Sequence, residues 1–523
     1  MYYNYSGFKV NSLKLKGHKI FGDFEISFVD GDDIEKLTEN PKSPYISLLI
    51  GSNGTGKSYL LRLIIDIVFD LETFRENGEN AKFKTSQFRI NYTVDGFNYI
   101  LTTLKELEDF EDEEIVFPDD KKNIRFYKNG VREANYSQVQ LPKKLLASSI
   151  MLTDRFPASQ PFQFYNYLGV RNLTSNSVAG TRTYIKRIVD CVADNIDKPK
   201  FISKLESMLS FLEYDKAFYI SYTPKRKHIF FKGNLTLEKF EHFFENYTEY
   251  TKITTSYIPW YKNRYDTIKK DKVLLNKLVD ECNMISKELD TIEDKKFSKY
   301  FEFNVFENSE LKSRIKKLAE LNRLDIISSP SVSVQKNGRW FEISDSSSGE
   351  SHFLSNMTAI ASLIEDNSLV LIDEPEVSLH PNWQMRYFNF IYNNFSEFSS
   401  CQFIITSHSH FLVSDLKGGF SKIIGLKRVM NEIKTIELPS NTDTYGWSAE
   451  NVLYDIFNLR TTRNFYFEVD LNRLIMLINS QSKDYETIRN LYKKFEKLKY
   501  SEFDPMQILL IKTNEYLLAN DKH

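Results

Sequence analysis

The chain has 523 residues, 41% of them hydrophobic and 27% charged, which is more than one core usually holds, so two or three structural units are expected. Lys and Arg number 69 against 71 Asp and Glu; the formal net charge of −2 excludes the overall basic excess of a protein that coats nucleic acid. Cys191, Cys282 and Cys401 are far apart and form no CxxC or Cys/His pairing, which argues against a disulfide framework or zinc site and fits a reducing cytosol.

The opening residues, MYYNYSGFKVNSLKLKGHKIFG, contain no long apolar run and no cleavage-site pattern. No stretch approaches the roughly 20 apolar residues that span a bilayer, so a soluble cytoplasmic protein without a membrane role is expected. Residues 8–30 alternate apolar and polar, predicting antiparallel strands with turns near Gly17 and Gly22. Residues 31–44 read as a loop. YISLLIGSNGTGKSYLLRLIIDIVF then reads strand, glycine loop, helix. Further short strands are predicted over 88–130, interrupted by the acidic loop Glu106–Asp120, and another over 145–153.

From about Gly180 to Glu320 the pattern turns helical and highly charged. Ile268, Leu275, Leu278, Ile285, Leu289 and Ile292 recur mainly at three- and four-residue steps, predicting an apolar stripe on one side of a helix over Lys262–Ile292, in a packed helical insert or else a projecting helical arm. Strand character returns at 331–343. LVLID at 369–373 and QFIIT at 402–406 are apolar runs suited to strands covered on both faces, with a helix predicted over Asn382–Phe395 between them; together they predict a parallel crossover unit. Short strands over 422–426 and 432–437 and a mostly helical tail complete the chain. The expected division is 1–180 and 326–440 as the two parts of an α/β head, 181–325 as a helical insert, and 441–523 as a tail.

Gly51-Ser52-Asn53-Gly54-Thr55-Gly56-Lys57-Ser58 matches the phosphate-cradling pattern GxxxxGK[ST]. Its glycines let backbone N–H groups converge on phosphate oxygens, and the following helix adds its positive end. Lys57 would reach the terminal phosphates and the Ser58 hydroxyl would ligate Mg²⁺, so ATP and Mg²⁺ are the expected ligands. Asp373 and Glu374 end an apolar strand. Asp373 is suited to hold Mg²⁺ and Glu374 to orient or deprotonate an attacking water. His408 follows the next strand, where it could sense the γ-phosphate; His380 and His410 nearby do not make a metal site at this spacing. Ser346-Ser347-Ser348-Gly349-Glu350 opens a helical run. By itself this is a serine-rich helix cap with Glu350 completing a capping box, or else a second phosphate-binding surface.

The order GSNGTGKS, SSSGES, LVLIDEPEVSLHP, TSHS resembles the ABC-type ATPases related to chromosome-maintenance and DNA-repair proteins. Within that group it is similar to the ATPases of bacterial anti-phage systems, of the PtuA type found in Septu and retron-associated systems. The resemblance implies a P-loop head with a mixed sheet, an N-terminal antiparallel β subdomain and a helical insert. It implies that Ser347, Ser348, Gly349 and Glu350 act in trans on ATP held by a second copy, in a head-to-tail dimer or higher oligomer. It also implies Glu374 as catalytic base, His408 as switch histidine, Lys57 as the phosphate-holding lysine, and Ser378-Leu379-His380 as a subunit-contact loop. The partner it implies is a separate HNH nuclease of the PtuB type, with a reverse transcriptase and RNA–DNA hybrid added in a retron. The sequence departs from the pattern in having SSSGE rather than LSGGQ and no clear Q-loop glutamine, whose place falls near Asp154. A self-sufficient nuclease of the overcoming-lysogenisation type and a DNA-repair or chromosome-structural ATPase remain alternatives. The basic groups Lys225-Arg226-Lys227, Lys262/Arg264 and Lys269-Lys270-Asp271-Lys272 leave nucleic-acid contact open.

Overall fold

Strands that are apolar on both faces must be covered twice, and the first part of the chain is built on that requirement. The computed structural model describes residues 7–29, 43–78, 81–104 except 82 and 86, 124–171 except 152 and 160, 181–246 except 226, 260–290, 301–413 except 308, 416–437 except 418 and 431, 465–498, 500 and 504–520. Two compact units divide the chain, Met1–Trp447 and Ser448–His523. The acidic loop predicted over 106–120 lies outside the described residues.

The first unit opens with β1 (Lys9–His18), β2 (Gly22–Ser27), β3 (Tyr45–Gly51) and helix α1 (Lys57–Asn77). Then follow β4 (Phe88–Val94), β5 (Phe97–Thr102), β6 (Arg125–Lys128), β7 (Val131–Arg132), β8 (Leu145–Ser149) and β9 (Tyr165–Tyr167). Strands β2-β1-β4-β5-β6-β7 form one antiparallel sheet, as the alternation over 8–30 and 88–130 predicts.

The region after residue 180 corrects one expectation. It contains helices α2 (Thr181–Asn195) and α3 (Pro199–Phe211), then strand β10 (Phe218–Tyr222), α4 (Leu237–Glu245), α5 (Trp260–Ile268), α6 (Lys272–Asp290), strand β11 (Phe301–Asn304) and α7 (Ser309–Arg323). β10 and β11 join β12 (Ser331–Lys336) and β13 (Arg339–Glu342) in a four-stranded antiparallel sheet, so the insert is not helical throughout. The stripe predicted over Lys262–Ile292 is carried by two helices, not one, with a break at 269–271. Its members Ile268, Leu275, Leu278, Ile285 and Leu289 are buried, and Ile292 lies outside the described residues. Arg314 of α7 is clamped by Glu281 and Glu288 of α6, each at 2.6 Å.

The unit is completed by α8 (Ser348–Leu363), β14 (Leu369–Asp373), α9 (Tyr387–Asn394), β15 (Gln402–Ser407), β16 (Ser421–Val429) and β17 (Glu432–Glu437). The helix predicted over Asn382–Phe395 is divided into Pro381–Gln384 and α9. The central sheet runs β17-β16-β3-β15-β14-β8-β9; all its pairings are parallel except β16 with β17. Successive strand residues point to opposite faces. Leu49, Leu145, Ala147, Leu369, Leu371 and Ile404 of this sheet share one core with α1 and with Leu13 and Ile90 of the antiparallel sheet. Helix α1 therefore lies between two sheets, which is why its buried residues run round its circumference. On the opposite face Phe403 meets Phe395 with ring centroids 5.8 Å apart. The second unit holds α10 (Phe465–Asn479), α11 (Tyr485–Glu496) and α12 (Pro505–Asn520) around a core of Leu474, Ile488, Phe495 and Met506. Among the described residues no helix is long and apolar enough to cross a membrane.

Ile64 of α1 is fully buried in the core shared by both sheets. Ile64→Ala is expected to cost about 2–5 kcal/mol, read from the midpoint of urea denaturation. A loss below about 1 kcal/mol would contradict the two-sided packing of α1.

Candidate nucleotide-binding site

The site follows from strand register. Asp373 pairs with Thr406 across β14 and β15, and Thr406 pairs with Leu49 across β15 and β3. Because all three strands run parallel, their C-terminal tips come level: Gly51 and the glycine loop, Asp373–Glu374, and Ser407–His408 share one sheet edge, where α/β ligand sites form. Gly56 ends the loop as the N-cap of α1 with φ of 83°, and no side chain caps the helix. A Cβ at Gly56 would lie 2.9 Å from the Phe21 ring, so that position is closed to larger residues on two counts. The helix start therefore offers backbone N–H groups that no side chain occupies, as anion binding requires.

Lys57 is only 4% exposed. Its Nζ donates to the Gly51 carbonyl at 2.8 Å and lies 2.9 Å from His408 Nε2. Burial pushes its ammonium down to about 8, against the opposing pull of Glu374, Glu376 and Asp373. Glu374 Oε1 is 3.2 Å from His408 Nε2, and this imidazole holds the Glu374 carboxyl below its ordinary range. Glu374 sits at φ of 51°, a left-handed conformation costing a non-glycine residue about 1–3 kcal/mol, and its N–H donates to the Thr406 carbonyl at 3.1 Å. Lys57, His408 and Glu374 are thus brought together.

Asp373 is buried, and burial raises its carboxyl above the usual range although Thr406 Oγ1, at 2.5 Å, and the Ser58 hydroxyl both donate to it. A carboxylate left short of positive charge, with a hydroxyl beside it, fits a divalent cation.

Glu376 was not singled out in the sequence. Its Oε1 accepts from the His408 N–H at 2.6 Å and from Ser407 Oγ at 2.8 Å, tying the β14 exit to the histidine. Gln384 supports the same segment, accepting from Ser409 Oγ at 2.5 Å and donating to the Leu379 carbonyl at 2.8 Å. The signal available was the second acid of DEPE, which periodicity alone cannot distinguish from a loop charge.

The serine-rich segment forms the capping box. Ser347 Oγ accepts from the Glu350 N–H at 3.2 Å, and Glu350 Oε2 accepts from the Ser347 N–H at 2.9 Å. Ser347 and Ser348 are exposed, Gly349 is buried, and Glu350 lies 3.7 Å from Lys336. A Cβ on Gly349 would come within 2.0 Å of the Ser378 carbonyl, so the turn through Ser378-Leu379-His380 packs directly on this helix start. Among the described residues no hydrogen bond or ion pair joins 347–350 to 51–58. Within one chain the two surfaces are separate pieces.

Asp154 offers no free carboxylate. Arg171 Nη2 donates to it at 2.6 Å, as does the Tyr167 hydroxyl, and its side chain is fully buried. His380 serves as a helix N-cap, accepting from the Asn382 N–H at 3.3 Å. The basic groups are largely paired: Lys225 with Asp325 at 2.5 Å, Lys262 and Lys269 with Asp266, Arg264 with Glu320, and Lys272 with Glu241. Arg226 and the Lys227 side chain lie outside the described residues.

Two outcomes follow from this geometry. The Lys57 amine loses its proton above about pH 8, and bound phosphate would restore it. Calorimetric ATP affinity should therefore be flat below about pH 7 and weaken toward about tenfold per unit above pH 8, while Lys57→Arg gives a flat profile. Glu376→Ala leaves the His408 N–H and the Ser407 hydroxyl without their acceptor. The expected result is a kcat about 10- to 100-fold lower with ATP Kd within a few-fold, and Glu376→Gln should restore most of it. An unchanged kcat in Glu376→Ala would show that the carboxylate does not position His408.

The chain is similar to several known proteins. The Retron Vc95 probable ATPase of Vibrio cholerae serotype O1 biovar El Tor is 22% identical over 419 residues, covering 76% of this chain and 72% of that protein. Among solved structures, the SMC head domain from Thermotoga maritima aligns at a TM-score of 0.36 and 12% identity, over 82% of this chain and 99% of that one. The recombination mediator protein RecF of the RecFOR pathway aligns at 0.28 and 14%, over 83% and 100%. A family model described as the AAA ATPase domain matches residues 9–413. That span runs from β1 past the histidine and takes in every group gathered around Lys57, so the chain belongs to the AAA ATPase domain family and is an ATPase.

Proposed function

We propose that this ATPase works as an ATP-dependent switch whose nucleotide is enclosed between two copies of the chain, and that the switch controls a separate nuclease in anti-phage defence. The observation that carries the reading is the division of the site. Lys57, Asp373, Glu374 and His408 converge on one sheet edge, while Ser347 and Ser348 stand exposed at a separate helix start. An exposed helix start of small polar residues suits phosphate, and only a second copy would bring it to a partner's glycine loop.

In this reading Gly51, Ser52, Asn53, Gly54, Thr55 and Gly56 wrap the phosphates, and Lys57 leaves the Gly51 carbonyl and His408 to bind them. Ser58 and Asp373 would hold Mg²⁺, which supplies charge neutralisation at the phosphates. Glu374, kept ionised beside His408, orients and deprotonates water, and His408 reports the γ-phosphate. Ser347, Ser348, Gly349 and Glu350 close from the other copy. Because Gly349 packs on the turn that follows Glu374, closure at one surface is transmitted to the water-activating strand end.

The likeness to a retron ATPase supports the defence setting. The partners of the proposal are an HNH nuclease of the PtuB type and, in a retron, a reverse transcriptase with its RNA–DNA hybrid.

Closure is read by covalent capture. A chain carrying Ser52→Cys and Ser347→Cys, with Glu374→Gln to retain ATP, should give crosslinked dimers with a short bis-maleimide only when ATP and Mg²⁺ are present. Adding Ser348→Arg should abolish capture while each chain still binds ATP, and Lys57→Ala should lose both. Capture that ignores ATP, or that survives Ser348→Arg, would sink the enclosed-nucleotide reading. Plasmid left intact by the purified chain with ATP and Mg²⁺ is the expected companion result; cleavage by the chain alone would overturn the separate-nuclease reading.

A further inference from the structure

The second unit keeps only part of its apolar surface inside. Leu474, Ile488, Leu491, Phe495, Met506 and Leu517 form its core, yet Val469, Met476, Ile508, Ile511 and Leu518 are 48%, 71%, 60%, 59% and 62% exposed. These exposed side chains are not scattered. On α10 they lie along the line Val469, Arg473, Met476, and on α12 along Ile508, Ile511, Glu515, Leu518. From Val469 on α10 and from Ile511 on α12 the lines step by four residues and then by three, with Ile508 a further three-residue step before Ile511, the spacing of a coiled-coil seam. Helix α12 is apolar on more than one side, as a helix with a second packing surface should be.

Each seam carries one charge at its centre, and the charges are opposite. Arg473 lies between Val469 and Met476, and Glu515 between Ile511 and Leu518. Both are exposed, and neither takes part in a hydrogen bond or contact ion pair among the described residues. Laid in the same direction and in register, the seams match layer by layer: Val469 on Ile511, Arg473 on Glu515, Met476 on Leu518. Pairing the wrong layers would bury a charge against an aliphatic side chain, so the central pair sets the register. A shallow groove beside Val469, Arg473, Met476 and Leu477 provides room for an incoming side chain.

We propose that the α10 seam of one chain packs on the α12 seam of a second copy, making the C-terminal unit a self-association module that needs no nucleotide. The occupant is a second copy because the two seams share one spacing and carry opposite charges at the matching layer, Arg473 on one and Glu515 on the other. Two copies joined reciprocally would bury both seams twice.

The test uses the full chain carrying Lys57→Ala, so that ATP-dependent closure contributes nothing, with mass measured by sedimentation across a dilution series without nucleotide. The expected outcome is a reversible dimer. Arg473→Glu and Glu515→Arg should each weaken it about tenfold or more, and the double reversal should return the dissociation constant to within about threefold of the starting chain. Rescue by the double variant shows that neither single change acts through misfolding. A monomer in the Lys57→Ala chain, single reversals without effect, or a double reversal as weak as the singles would each overturn the proposal. The ATP-dependent capture described above does not depend on this contact, so either can fail without the other.

Discussion

Lys57 keeps a cationic side chain at the edge of a parallel sheet, almost out of water, and the residues around it are arranged to make that tolerable. The Gly51 carbonyl accepts from it, His408 stands beside it, and Glu374, Glu376 and Asp373 surround it with negative charge. None of these groups is its neighbour in sequence except the glycine loop. They meet because β3, β15 and β14 run parallel in a register that brings their tips level. Shifting any of those strands by one residue would turn its side chains to the other face and take a carboxylate away from the amine. The core between the two sheets, with α1 at its centre, holds that register.

Around the amine the structure stores strain and couples parts. Glu374 and Ser378 both adopt left-handed backbone conformations, and they flank the turn that leaves β14. Glu376, within that turn, fixes the His408 backbone, and Ser378 touches Gly349 at the start of α8. One short segment therefore connects the Glu374 carboxylate, the histidine and the serine-rich helix start. The close approach of Ser378 explains why Gly349 cannot carry a side chain even within a single copy.

The pattern-rich parts of the chain were legible. The glycine loop, the apolar strands ending in Asp373 and Thr406, and the alternating N-terminal strands all carry a local signature: fixed glycines, a continuous apolar run, or period-two alternation. The capping box at Ser347 and Glu350 was equally readable, since both its hydrogen bonds are local. β10 and β11 were not, because FYISY and FEFN are too short to stand out among charged helices, and their partners are far away in sequence. The break between α5 and α6 escaped for a related reason: buried residues continue the same stripe on both sides of it.

By itself the sequence determined which segments could be strand or helix, where phosphate could be cradled, and which carboxylates and histidine were candidates to serve it. Those properties depend on neighbours a few residues apart. Only the tertiary structure decided that Glu376 holds His408, that Asp154 is consumed by Arg171 and Tyr167, and that Gly349 is pressed against Ser378. Each of these contacts joins segments whose separation along the chain carries no periodic signal. Whether a given polar group is free or already paired is fixed by packing and by the water that packing excludes.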